Sequence, residues 1–288
     1  MKRALLLPLL LAPLCAQSGA PIVREGHYWV QTFTGSHPAH AHERLRVSTR
    51  GAIKLQGGTY GTITYTLKKR VAASSRAEAE RLLQHIRLDV NTRAGLHLAL
   101  AFPRPRDVWA DFSLTVPRDL AAARLESEAG MIEAYDMNGS VDAESAGGRI
   151  RMDRVWGAVI ARTGGGEINF GRVGGTVKCL TAGGAIRAAS LGGEAWLETG
   201  GGEIQLGDAA APVHVSTAGG NIRVVKAASY VDARTAGGLI DVYSAGGVVR
   251  AESSGGSIAI ASAPGVRCET AAGAIRLRAV RGALRAST

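Results

Sequence analysis

The sequence predicts an all-β fold: a β-solenoid of about nine 18-residue coils, each built from two 9-residue half-coils, behind an N-terminal mostly-β capping domain with one short helix. Three observations predict it. Glycines recur every nine residues from Gly130 through Gly202, and the beat returns at Gly220, Gly238, Gly247 and Gly256. A short period sustained this long marks a stacked-repeat architecture. Second, isoleucine follows alternate glycines by two positions, at Ile132, Ile150, Ile168, Ile186, Ile204, Ile222, Ile240, Ile258 and, after the loss of one residue, Ile275. An apolar residue two further on gives the alternation of a strand with one buried face. Third, the intervening half-coils carry Val141, Val159, Val177, Val213, Val231, Val249 and Val266, followed by small residues such as Ala143, Ala161 and Cys179. One bulky and one slim face suit two thin sheets that interdigitate.

Within each coil the remaining positions have a physical role. A hydroxyl recurs at Ser145, Thr163, Thr181, Thr199, Thr217, Thr235, Ser253, Thr270 and Thr288, just before the turn, where it can bond turn backbone or the neighbouring coil. A threonine ladder that recognises a flat crystalline ligand needs two outward hydroxyls per strand, and here one stands at inward parity. The glycines are expected to turn the chain through positive φ. A nine-residue beat favours two long faces over a triangular cross-section, and nine coils at the strand spacing make a rod on the order of 43 Å long.

Upstream of the repeats, Lys2 and Arg3 precede an apolar run from Ala4 to Leu14 and then small residues, which reads as a signal peptide over residues 1–18. A lipid anchor on Cys15 is the rival, disfavoured by the bulk of Leu14. The run is too short to span a bilayer, and no later segment would hold the chain in one. Residues 19–128 form the expected capping domain, and 129–288 the solenoid. Strands are expected at His27–Phe33, Arg44–Ser48, Ala52–Gln56, Thr62–Lys69, Ile86–Val90, His97–Phe102 and Trp109–Val116. Ser75 and Glu78 form a capping box ahead of a helix whose stripe is Ala79, Leu82, Leu83 and Ile86. In the mature chain Cys179 and Cys268 share one inward slot five coils apart, too far for a disulfide, and are expected as free buried thiols.

The leader, the strands EGHYWVQTF and RLRVSTRGAIKL, the helix VAASSRAEAERLLQHI, the segment FSLTVPRDL and repeats such as LESEAGMIEAYDMNGSVDAESAGGRI together resemble the bacterial β-strand-repeat proteins known as putative adhesins, whose core is a domain of unknown function. The resemblance covers nearly all of the mature chain. It implies a repetitive β-fold at the cell envelope or outside it, and it supplies no catalytic motif.

Candidate chemistry is sparse. The HPAHAHE segment offers His37, His40 and His42, with Glu43, as metal ligands, against a polar loop turned by Pro38. Calcium-binding nonapeptides need an Asp in every unit, and the equivalent positions here are Ile, Val or Ala. The outward row Glu133, Arg151, Asn169, Arg187, Gln205, Arg223, Asp241, Ala259, Arg276 places no two carboxylates side by side, and neither does the row Asp142, Ile160, Lys178, Trp196, His214, Asp232, Arg250, Arg267, Arg285. No catalytic or cofactor-binding residue is assigned, and no cofactor is expected. Trp196 beside Lys178 and His214 is the candidate ligand-binding group, an outward aromatic flanked by basic side chains of the kind that stacks on a sugar. Net charge is +10, or +8 once Lys2 and Arg3 leave with the leader. An exported basic protein suits anionic polysaccharide or an envelope surface, whereas an exported location and few aromatics disfavour nucleic acid. The expected molecule is an exported monomer, periplasmic, surface-bound or secreted, acting as a non-enzymatic structural or adhesive protein. The alternatives are a polysaccharide lyase or hydrolase on a β-helix, and a self-assembling envelope scaffold.

Overall fold

The computed structural model describes residues 18–39, 42–58, 61–92, 95–102 and 108–288. Residues 1–17 of the expected leader, Cys15 among them, therefore lie outside the described residues, while Ser18 pairs with Thr34.

Each coil contributes one strand to each of two sheets, which among the described residues number 15 and 13 strands. The six-residue strands that begin at the isoleucines, such as Ile168–Val173 and Ile186–Leu191, stack in parallel in the 15-stranded sheet. The five-residue strands that begin at the valines, such as Val159–Thr163 and Val177–Thr181, stack in the 13-stranded sheet. Register advances by one coil at every step: Ile168 pairs with Ile186, Ile186 with Ile204 and Ile204 with Ile222. All four are fully buried, and each contributes roughly 1.5–3 kcal/mol of apolar burial. In the coil where the valine shrinks to Ala195, the small position grows to Leu197, and both stay buried. Bulk is exchanged within the layer, so packing density is kept.

The six-residue strand has two consecutive outward residues before its last buried one, as Gly171 and Arg172 precede Val173. That extra outward position bends the strand toward the opposite sheet. In the first two coils the bend uses residues with positive φ, Asp136 (59°) and Arg154 (55°).

The repeat glycines act differently from expectation. Among the described glycines only Gly26, Gly61 and Gly95 have φ in the positive region. Gly184 is glycine because a Cβ there would collide with the carbonyl oxygen of Gly166, one coil before. Its neighbour Gly183 faces open space. The hydroxyls complete this contact: Thr199 Oγ1 donates to the Gly184 carbonyl at 2.8 Å and accepts from Gly202 N at 3.1 Å. The same pair of bonds recurs from Ser127 to Thr270. Thr288 is exposed.

Toward the N-terminus the ladder continues through strands out of chain order. Arg44–Thr49 pairs in parallel with Ala122–Ser127, and Ile53–Gly57 with the strand Ile132–Met137. Beyond them lie Leu96–Ala101 and Val108–Val116, again parallel. Antiparallel strands close both sheets: Tyr28–Pro38 with Thr62–Ala72, and Arg87–Asn91 against Leu96–Ala101. The one helix among the described residues, Arg76–Gln84, is capped by Ser75, whose side chain accepts from Glu78 N. The Glu78 carboxylate turns to Ser74 instead, at 2.9 Å from its N and 2.6 Å from its Oγ, so the capping box closes one residue early. Ala79, Leu83 and Ile86 bury against Val71 and Val108, and Leu82 is only half-buried. Cys179 and Cys268 are free and buried, and burial pushes both thiols above their ordinary range.

Two glycines therefore differ in what they tolerate. Gly184→Ala should lower stability by more than about 2 kcal/mol, because backbone must move, while Gly183→Ala should change it by less than about 1 kcal/mol. Equal urea midpoints for the two variants would refute the stacking account.

Candidate functional site

The 13-stranded sheet places Lys178, Trp196, His214 and Asp232 in one outward row on successive coils. The five-residue strand fixes this, since Trp196 lies between buried Ala195 and Leu197. Strand spacing brings the side chains face to face. Lys178 Nζ sits 4.9 Å from the centre of the Trp196 ring, and His214 stacks on the ring at 5.5 Å with an interplanar angle of 9°. Tyr230 follows at 5.9 Å from His214. A lysine and an imidazole thus fill the two faces of the indole, which offers solvent an edge. Trp196 is half-buried in consequence.

The same row carries close polar contacts. His214 Nε2 lies 3.5 Å from Glu194 and its Nδ1 3.8 Å from Asp232. Asp232 is only 8% exposed. Its Oδ2 accepts from Arg234 at 2.8 Å, and its Oδ1 is buried with no hydrogen-bond partner.

On the 15-stranded sheet the sequence-derived row from Glu133 to Arg276 is likewise in register across neighbouring coils. Of its carboxylates, Glu133 accepts from the Tyr135 hydroxyl at 2.9 Å and Asp241 lies 3.3 Å from Arg223; beside the row, Glu167 is 3.3 Å from Arg187 and 3.2 Å from Arg149. The Arg187 hydrogen bond holds Glu167 below its usual range. Burial pushes Glu126 up, yet hydrogen bonds from Arg124 and Arg46 outweigh it and hold its carboxyl low. Asp136 is gripped hardest. Arg154 donates to both its oxygens at 2.6 and 2.9 Å, Gln56 adds a bond of 2.7 Å, and the carboxyl lies far below its ordinary range. A general acid needs the opposite shift.

Of the metal candidates, His40 lies outside the described residues. His37 ends up in the Tyr28–Pro38 strand with Nε2 3.4 Å from Glu43, and His42 is an exposed turn residue with φ 64°. Among the described residues no three His, Cys, Asp or Glu side chains gather.

The tryptophan that does expose a large surface is Trp156, at 58%. It lies across Gly174 of the next coil, where a Cβ would come within 2.7 Å of its ring. Glycine one coil after a tryptophan was the available signal in the sequence.

No family model matches the chain, and no curated protein matches it in sequence. Solved structures do match. One described as a putative lipid binding protein from Parabacteroides distasonis is 14% identical, with 89% of this chain and 96% of that one covered and a TM-score of 0.50. That likeness is one of fold. A putative adhesin from Bacteroides fragilis is 13% identical over 88% of this chain and 96% of that one, with a TM-score of 0.40. A putative adhesin from Parabacteroides merdae is 12% identical over 85% and 95%, with a TM-score of 0.33. The structural neighbours thus include proteins of the kind the repeats resemble. No helix among the described residues is long and apolar enough to cross a membrane.

The Asp136–Arg154 pair sets a pH dependence. Because the folded carboxyl titrates below its unfolded value near about 4, it contributes stability that is fully present above that pH and is lost progressively below it, as pH falls towards the carboxyl's lower folded value. Arg154→Met should flatten this acid limb in urea midpoints taken from neutral pH downward. An acid limb as steep as that of the wild type would show that the pair is not its source.

Proposed function

We propose that this chain is an exported, non-enzymatic β-solenoid that binds through its long faces at the bacterial cell envelope or surface, with anionic polysaccharide as the partner. The observation that carries this is the state of the carboxylates. Along both faces several of them are held by arginines, as Asp142 is by Arg124 and Arg162, Glu167 by Arg187, and Asp241 by Arg223. Glycoside hydrolysis needs one carboxyl kept protonated near neutral pH beside a second that is free. Paired carboxylates instead make a stiff grid of charges in fixed register. A mature charge of +8 favours a polyanion, and the apolar leader of residues 4–14 supports export.

Within this proposal the Lys178–Trp196–His214 row is a secondary contact. With both ring faces filled, it presents the indole edge and the lysine ammonium to a ligand. Trp196→Ala should therefore weaken polysaccharide binding by no more than about threefold, below roughly 1 kcal/mol.

Incubation with anionic glycans should give salt-sensitive binding without new reducing ends or unsaturated sugars. Steady product formation that scales with protein concentration would sink the non-enzymatic reading and return the β-helix hydrolase or lyase.

A further inference from the structure

The 15-stranded sheet bears a trough that runs along the rod axis, and three columns of side chains build it. One wall is Asn169, Arg187, Gln205 and Arg223, paired in register coil upon coil. The opposite column, at the strand bend, is Arg172, Ser190, Asp208 and Lys226, equally in register. Between them the middle column shrinks to Gly171, Ala189 and Gly207. It is bulky on either side of that stretch, with Asp153 before it and Val225 and Tyr243 after it, the last two 48% and 69% exposed. A depression of about 340 Å³ lies beside the first wall, lined by Asn169, Arg187, Gln205 and Arg223 with Ala189 and Gly207 on its floor and Val225 at its end. A Cβ at Gly171 would strike the Asp153 side chain of the previous coil, and one at Gly207 the Ala189 carbonyl, so bulk at either position needs a local shift.

What such a trough would take follows from its walls. Arg187 and Arg223 stand two coils apart, roughly 9.6 Å at the strand spacing, with the Gln205 amide between them and the Asn169 amide before. The bend column beyond the depression carries Arg172 and Lys226 with one carboxylate, Asp208, in register on the same coils. Arg187 and Arg223 each spend one contact on an exposed carboxylate at 3.3 Å. Pairs of that kind are weak and exchange readily, and a guanidinium has five donors in a fork that fits a carboxylate. The amides between offer both a donor and an acceptor, as sugar hydroxyls require. A pyranose ring advances an extended glycan by about one coil, so guanidinium, amide, guanidinium matches acid, neutral sugar, acid.

We infer that this trough is the binding site for a linear glycan with a carboxylate on alternate sugars, lying parallel to the rod axis across the coils of Asn169 to Arg223. The inference rests on the anionic-polysaccharide reading and gives that reading a site. It places the main contact on the sheet opposite Trp196.

Calorimetry with the full chain and hyaluronan oligosaccharide, a polymer of alternating uronate and neutral sugar, tests it. Arg187→Ala combined with Arg223→Ala should weaken binding at least tenfold. Ala189→Phe, at an exposed position that leaves the core untouched, should do the same by filling the floor. A neutral cello-oligosaccharide should not bind. Thermal midpoints of the variants should match the wild type. If the wild type binds hyaluronan but both trough variants bind it equally well, the trough is refuted and the polyanion reading stands. If the wild type binds no anionic glycan at all, that reading falls and takes the trough with it.

Discussion

Every coil of this molecule touches the next through bare backbone. At the turn before each isoleucine strand, a glycine sits against the glycine carbonyl of the previous coil at a separation that leaves no room for a Cβ. The threonine or serine three residues earlier donates to that same carbonyl and accepts from the following glycine N–H, as Thr217 does between Gly202 and Gly220. One hydroxyl thus satisfies two turn groups that parallel strands would otherwise leave to solvent or to nothing. Both bonds require coils at strand spacing and in register, so a slipped coil loses them at once. The isoleucines supply most of the burial, but the glycine contact decides where each of them stands.

A rigid register has a consequence on the outside. Side chains one coil apart are held near van der Waals distance whatever their chemistry, so the surface organises itself column by column. On the 13-stranded sheet the columns satisfy themselves: Lys178, Trp196 and His214 stack face to face, and Asp232, Arg234 and Glu252 form a chain of ion pairs. On the 15-stranded sheet the strand bend inserts an extra outward position, and three columns replace two. Where the middle one shrinks to glycine and alanine, a concave surface opens beside the Asn169–Arg223 column.

Sequence periodicity made the coils legible because one coil equals one period, and any residue could be followed eighteen positions on. It showed that Trp196, Lys178 and His214 are outward neighbours. It did not show that stacking between coils would use up the indole faces, since that depends on ring orientation rather than position. The coils nearest the N-terminus were hidden for a different reason. Arg44–Gly57 is a coil by geometry, with Thr49 donating to the Ala110 carbonyl as later hydroxyls do to their glycines. Its spatial neighbours, however, are Val108–Val116 and Ala122–Met137, so no fixed offset connects them. The strands there were readable one by one from alternation, and their assembly was not. Positive φ at the repeat glycines was expected from the usual role of glycine in turns, and steric closeness between coils took its place.

The trough and Trp156 share a cause that single-column reading misses. Trp156 is exposed because Gly174 lets it lie flat over the next coil, and the trough is open because Gly171 and Gly207 keep the middle column low. In each case the informative residue is the glycine beside the functional candidate, not the candidate itself. Glycine off the main beat has an entropic cost, and Gly171, Gly174 and Gly207 all stand off it. A repeat protein that needed only to stack could fill such positions with valine or tyrosine, as the later coils do at Val225 and Tyr243. Small residues across the central coils, with guanidinium and amide groups held above them, give this face a shape that its fold does not require.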